Sequence, residues 1–228
     1  AALKAVGCSV KDLRAVGFTA SELREAGFGA KDMKTANFNL RDLKAAGYTF
    51  KDLRLADFVV AQLKATGCSA KDLRSGGFKA KDLIGYSAIE LRDAGYLPGE
   101  LVVMNFSAKE LKMSGFTAAE LKGSPPGGLD CRSLKEAGFD CTELRAAGFS
   151  TKDLKDAGVG LTYLRMAGCS CAEIRQAGAS PAELRSLGFV AGDLYQAGVS
   201  LKEIRSVAAG LKQVLAFTAE LKEAKCQA

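Results

Sequence analysis

Few side chains in this chain could carry out chemistry. There is no histidine, and the seven cysteines (Cys8, Cys68, Cys131, Cys141, Cys169, Cys171 and Cys226) form no C-x-x-C pair. A zinc site would have to gather four thiolates from widely separated segments. Acid–base catalysis would fall to carboxylates, but these recur at helix-capping positions near water, where nothing raises their proton affinity. Gly127 and Gly128 follow Pro125 and Pro126 without a Gly-x-x-x-x-Gly-Lys pattern, so they read as a turn and not as a phosphate loop. The sequence therefore offers no catalytic residue, no metal ligand and no cofactor site, and a non-enzyme is expected. Cys131 and Cys141 occupy the same place in successive segments, which makes them the one candidate disulfide, with free thiols as the default.

The elements holding these residues come from one repeated phrase. In "GFTASELREAGFGAKDM" (17–33) a Gly, an aromatic, a small polar residue, Ala, an acid, Leu and a base recur at ten-residue spacing. The central apolar position falls on Leu3, Leu13, Leu23, Met33, Leu43, Leu53, Leu63, Leu73 and Leu83, then on Leu91, Leu101, Leu111 and Leu121. It continues through Leu134, Leu144, Leu154, Leu164, Ile174, Leu184, Leu194, Ile204 and Val214, giving 22 units. A repeat of this kind builds a solenoid in which each unit buries its face only against its neighbours.

Each unit specifies a helix with both ends marked. Thr19 and Glu22 have the spacing of a capping box, and Phe18 precedes the cap as a hydrophobic staple. Gly27 suits the left-handed position just past the helix, with Phe28 closing a Schellman ending against Leu23. Such a helix has about seven residues and is too short to persist alone, so packing must hold it. The expected fold is all-α: a solenoid of about 22 short capped helices, ten residues per unit, elongated and with two helices per turn.

An apolar residue falls nearly every five positions, which also resembles pentapeptide-repeat proteins with a square β-helix. That fold would turn Lys11, Lys31, Arg41, Lys51, Lys71 and Lys81 inward, and unpaired buried cations cost several kcal/mol each. The phrase as a whole resembles the G-[FY]-[ST]-A-x-[ED]-L-[KR]-x-A decapeptide tandem arrays of algae and other unicellular eukaryotes. That resemblance implies a rod-like, non-catalytic scaffold or linker subunit binding other proteins within a large organellar assembly, a photosynthetic or respiratory supercomplex. It implies peripheral association with a membrane complex at most, because no run of 18 apolar residues is present to span a bilayer. A soluble, processed plastid or mitochondrial protein is the matching expectation, since the chain starts at Ala1 without an initiator Met.

The formal net charge is +6, but residues 1–120 carry 18 bases against 14 acids and residues 121–228 carry 14 against 12, so neither half is a basic domain. An acid precedes the central apolar residue in 17 of the 22 units and a base follows it in 18. Those placements complement the helix dipole and form a solvated, self-neutralising surface. Nucleic acid is therefore an unlikely partner. An electrostatic binder of nucleic acid or an anionic surface stands as the alternative, and steep salt sensitivity would distinguish it.

A binding site in a repeat is written where the repeat breaks. "IGY" (84–86) shortens one junction and "GSPPGG" (123–128) lengthens another. These breaks suggest an N-terminal array over 1–122, a linker or bend over 123–128 and a C-terminal array over 129–209. A C-terminal capping helix over 210–228 completes the division. The base after the central residue is replaced by Ile84 and by Val102, and Val103 and Met104 follow. Ile84, Val102, Val103 and Met104 are accordingly the candidate partner-binding residues, because an exposed apolar run costs solubility unless a partner covers it.

Overall fold

The computed structural model describes residues 7–125 and 127–207. Among them it holds nineteen α-helices and one 3-10 turn, with no strand. This is the short-helix repeat that the capping signals predict. The units centred on Leu3 and Val214, and the expected capping helix 210–228, lie outside the described residues.

By its contacts the chain divides into two compact units, 1–115 and 116–228. The first contains helices Val10–Ala15, Ala20–Glu25, Ala30–Thr35, Leu40–Ala45, Phe50–Leu55, Val60–Ala65 and Ala70–Ser75. The 3-10 turn Ala80–Asp82 comes next, before helices Ala88–Asp93, Pro98–Val103 and Ala108–Met113. The second contains Ala118–Lys122, Cys131–Glu136, Cys141–Ala146, Thr151–Asp156, Leu161–Met166, Cys171–Gln176, Pro181–Ser186, Ala191–Gln196 and Leu201–Val207. The Gly/Ser/Pro segment lies inside the second unit, where the Leu129 amide donates to the Leu121 carbonyl at 3.0 Å.

Helix starts follow the sequence closely. At Thr19 the hydroxyl accepts from the Glu22 amide at 3.3 Å, and Glu22 Oε2 accepts from the Thr19 amide at 2.8 Å. The same reciprocal pair forms at Thr49–Asp52, Ser69–Asp72, Ser87–Glu90, Ser107–Glu110, Thr117–Glu120, Ser150–Asp153 and Ser180–Glu183. Where Gly29, Lys79, Leu97 or Val190 stands at the cap, only the acid's half is made, from the backbone amide to Asp32, Asp82, Glu100 or Asp193.

Helix ends are Schellman motifs. After Ala20–Glu25, Gly27 donates to the Arg24 carbonyl at 2.9 Å and Phe28 to the Leu23 carbonyl at 3.0 Å, with Gly27 at φ 90°. Asn37, Asp57 and Asn105 take the same left-handed position at φ 62°, 57° and 65°, as their short polar side chains allow.

The central residues form the core. From Leu23 to Leu194 every one of them is 0% exposed. Burying one such side chain stabilises the fold by about 2 kcal/mol. Helices two units apart pack together in both units, as with Ala20–Glu25 on Leu40–Ala45 and Thr151–Asp156 on Cys171–Gln176. Within each unit the coil therefore returns to the same side every second helix.

The bases do more than their position suggested. While staying in the last turn of their own helices, they also cross to the next turn. Arg24 Nη1 donates to the Ala46 carbonyl at 3.0 Å, Arg54 Nε to Gly76 at 2.9 Å, Arg74 Nη1 to Ala94 at 2.7 Å and Arg92 Nη1 to Ser114 at 3.0 Å. In the second unit Lys135, Arg145, Lys155 and Arg175 reach the Ala157, Ala167, Ala177 and Ala197 carbonyls in the same way. Each acceptor is the C-cap residue just past a helix, whose carbonyl has no partner within the helix. Each base thus straps its own helix to the end of the helix two units on.

The aromatic after that end completes the strap. Arg24 lies 5.6 Å from the Tyr48 ring centroid, Lys34 5.0 Å from Phe58 and Arg74 5.1 Å from Tyr96. Tyrosines also bond backwards: Tyr48 Oη donates to the Phe28 carbonyl at 2.6 Å, Tyr86 Oη to Cys68 at 2.6 Å and Tyr96 Oη to Phe78 at 2.8 Å.

Candidate docking site

The four singled-out residues lie where the strap changes. Ile84 follows the 3-10 turn Ala80–Asp82, which replaces a full helix because the following junction is short. It is 80% exposed. Helix Pro98–Val103 packs on that turn, so Ile84 and Val102 hold the same register in adjacent turns on one side of the first unit. Val103 is exposed, whereas Val102 and Met104 are half-buried. Ile84 and Val103 carry the open apolar surface.

Sequence reasoning missed three neighbours. Ile89, Leu97 and Met113 are all exposed, at 53%, 60% and 74%. Leu97 had a legible signal, since it stands at a helix cap where the repeat elsewhere carries Ser or Thr. Ile89 and Met113 occupy positions the repeat leaves variable, and nothing local distinguishes them.

The charged groups around this surface are engaged in holding the fold. Hydrogen bonds from the cap residue, Ser87 for Glu90 and Ser107 for Glu110, hold those carboxyls below the usual carboxylate range. Such acids are fixed as acceptors and have no tendency to carry a proton at neutral pH. Burial pushes the Tyr96 hydroxyl up to about 12.

Three of the described cysteines sit where burial opposes activation. Cys131 and Cys141 are free thiols in the structure, and burial raises both above the ordinary thiol value, as it does Cys171. A raised thiol is a poor nucleophile at neutral pH. Cys131 borders a groove of about 420 Å³ with Lys122, Phe149 and Asp153, but Lys122 is spent on the Gly148 carbonyl at 2.6 Å. Among the described residues no group of three His, Cys, Asp or Glu could hold a metal ion, and no helix is long and apolar enough to cross a membrane.

A family model described as the decapeptide repeat region matches residues 1–68, 48–102 and 115–191, most of the chain. The chain belongs to the decapeptide repeat family. No curated protein and no solved structure matches it. The interval between the last two stretches, 103–114, begins at Val103 and includes Met104 and Met113.

Proposed function

We propose that this decapeptide-repeat protein is a non-catalytic scaffold or linker, and that a partner protein docks on the apolar surface formed by Ile84, Leu97 and Val103. One observation carries the reading: the repeat's charges are used internally, as caps and straps, while the break in the repeat turns aliphatic side chains to solvent. Interface cores are depleted of charge and more apolar than the rest of a protein's surface. The resemblance to arrays of algae and other unicellular eukaryotes extends the proposal to a photosynthetic or respiratory supercomplex of an organelle, met from the aqueous side. Binding of nucleic acid or an anionic surface is less favoured, because guanidinium groups already bonded to carbonyls must break those bonds to meet phosphates.

The test uses Val103→Glu together with Leu97→Ser, which restores the cap residue common in the repeat. Docking predicts that the variant keeps its helical circular dichroism and melting temperature while its native assembly, isolated by mild extraction and sized by light scattering, falls to a smaller mass. An assembly of unchanged mass would refute the docking surface. Dissociation with a steep dependence on salt in the unmodified protein would favour the electrostatic alternative.

A further inference from the structure

The strap shows what the surface around Ile84 is built to receive. In this coil a helix end and its following junction make a cradle: the last carbonyl, the carbonyl of the left-handed residue after it, and the face of the next aromatic. Lys34 fills one in full, with Nζ donating to the Ala56 carbonyl at 3.1 Å and the Asp57 carbonyl at 2.6 Å, 5.0 Å from the Phe58 centroid. The equivalent cradle after helix Pro98–Val103 consists of the Met104 carbonyl, the Asn105 carbonyl and Phe106. Its backbone is intact: Asn105 donates to Val102 at 2.9 Å, Phe106 to Leu101 at 3.1 Å, and Asn105 stands at φ 65° beside the 57° of Asp57.

The base two units earlier is missing from this cradle, because its place is taken by Ile84. No donor among the described residues reaches the Met104 or Asn105 carbonyl. Ile84 does not fold over the ring either, since it is 80% exposed. From Phe28 to Tyr96 every aromatic at a junction of the first unit is buried, whereas Phe106 is half-buried. The sequence change has thus left a half-buried ring and two carbonyls of negative character without the cation that fills the equivalent cradles, with exposed Val103 at the end of the adjoining helix.

We infer that the cradle of Met104, Asn105 and Phe106 receives a lysine or arginine side chain from the docked partner protein, in the place the protein's own base takes elsewhere. The occupant's chemistry follows from the filled cradles of the same chain, which take a cation on a flexible aliphatic stem. Ile84 and Val103 would cover that stem, as apolar surface commonly does for long basic side chains. The inference rests on the docking reading above and specifies which residue of the partner is recognised.

Two measurements test it. Ile84→Arg should fill the cradle from within and raise the melting temperature by about 3 °C, the shift one restored charge-assisted contact gives in a chain of this length, whereas Ile84→Met should not. An arginine variant melting no higher than the methionine one would show that the cradle accepts no cation. In the unmodified protein, N-acetyl-arginine amide at millimolar concentration should shift the Asn105 amide and Phe106 ring resonances, with the neutral citrulline analogue silent and the shift lost in Ile84→Arg. Equal shifts from both probes, or shifts that persist in that variant, would overturn the inference. Loss of native assembly in Val103→Glu but not in Ile84→Arg would remove the cation and leave the docking surface. Assembly indifferent to Val103→Glu would remove both.

Discussion

Arg74→Met isolates the strap. Arg74 gives its Nη1 proton to the Ala94 carbonyl at 2.7 Å and lies 5.1 Å from the Tyr96 centroid. A hydrogen bond from a charged donor contributes at least about 1.5 kcal/mol when sheltered, and a cation over an exposed ring about 0.5 kcal/mol. Arg74 is largely exposed, so screening and the entropy of ordering its chain reduce the sum to about 1 kcal/mol. Methionine keeps most of the aliphatic contact and removes both terms. Were the arginine only complementing its own helix dipole, the loss would be about 0.3 kcal/mol and independent of residues two units away. Urea unfolding of the wild type, Arg74→Met, Tyr96→Leu and the double variant separates these cases. The strap requires a coupling of about 0.5 kcal/mol between positions 74 and 96, while the dipole account requires additivity. A loss near 0.3 kcal/mol with no coupling would refute the strap as a source of stability.

Other perturbations probe the remaining contacts. Gly76→Ala would place a methyl 2.7 Å from the Phe50 backbone carbon, so it should lower the melting temperature, and an unchanged midpoint would show that the backbone gives way there. Phe58→Tyr should raise stability by about 1 kcal/mol if its hydroxyl finds the Phe38 carbonyl as Tyr48 finds Phe28, and a lowered denaturation midpoint would contradict this. The capping acids Asp52, Asp72, Glu90, Asp153 and Glu173 have folded pKa values held below their unfolded ones by hydrogen bonds from their cap residues. Their stabilisation is present above the unfolded values near 4 and is lost as pH falls through the folded values. Melting temperature should therefore hold at neutral pH and decline below about pH 4; a decline centred near pH 6 would show that other groups govern it. Alkylation under non-reducing conditions should modify Cys131 and Cys141 once the chain is unfolded, with no further mass shift after reduction.

Local features of the fold were legible because short-range chemistry fixes them. The capping boxes span four residues and the Schellman endings six, so Thr19–Glu22 and Leu23–Phe28 could be read without knowing what packs on them. The substituted C-terminal positions were harder. Asn37, Asp57 and Asn105 replace the expected glycine, but each retains the left-handed backbone, so the repeat persists where its most visible letter changes. The domain division was read from the Gly/Ser/Pro segment, whereas the contacts divide the chain at Gly115 and Phe116. A break in register is local, while the contact division depends on which turns pack together.

The straps were not legible because their partners lie about two units away. Position beside a helix end suffices for a dipole argument, and that argument explains a base at every unit equally well. What separates the accounts is behaviour where the aromatic fails. Arg145, Lys155 and Arg175 approach units that carry Cys169, Ala179 and Val199 at the aromatic position, yet each still donates to the helix-end carbonyl, at 2.6, 2.9 and 2.7 Å. The carbonyl is therefore the primary acceptor, and the ring adds to a strap that already exists. It follows that replacing a base exposes a carbonyl pair whether or not a ring is present, whereas at Ile84 it exposes a ring as well. Of the base replacements in the sequence, Ile84 opens onto a cradle that has all its parts described, and Val103 borders it. That combination, more than apolar exposure alone, is why the break at 84–104 reads as a recognition surface and the isolated exposed Val16 or Met166 does not.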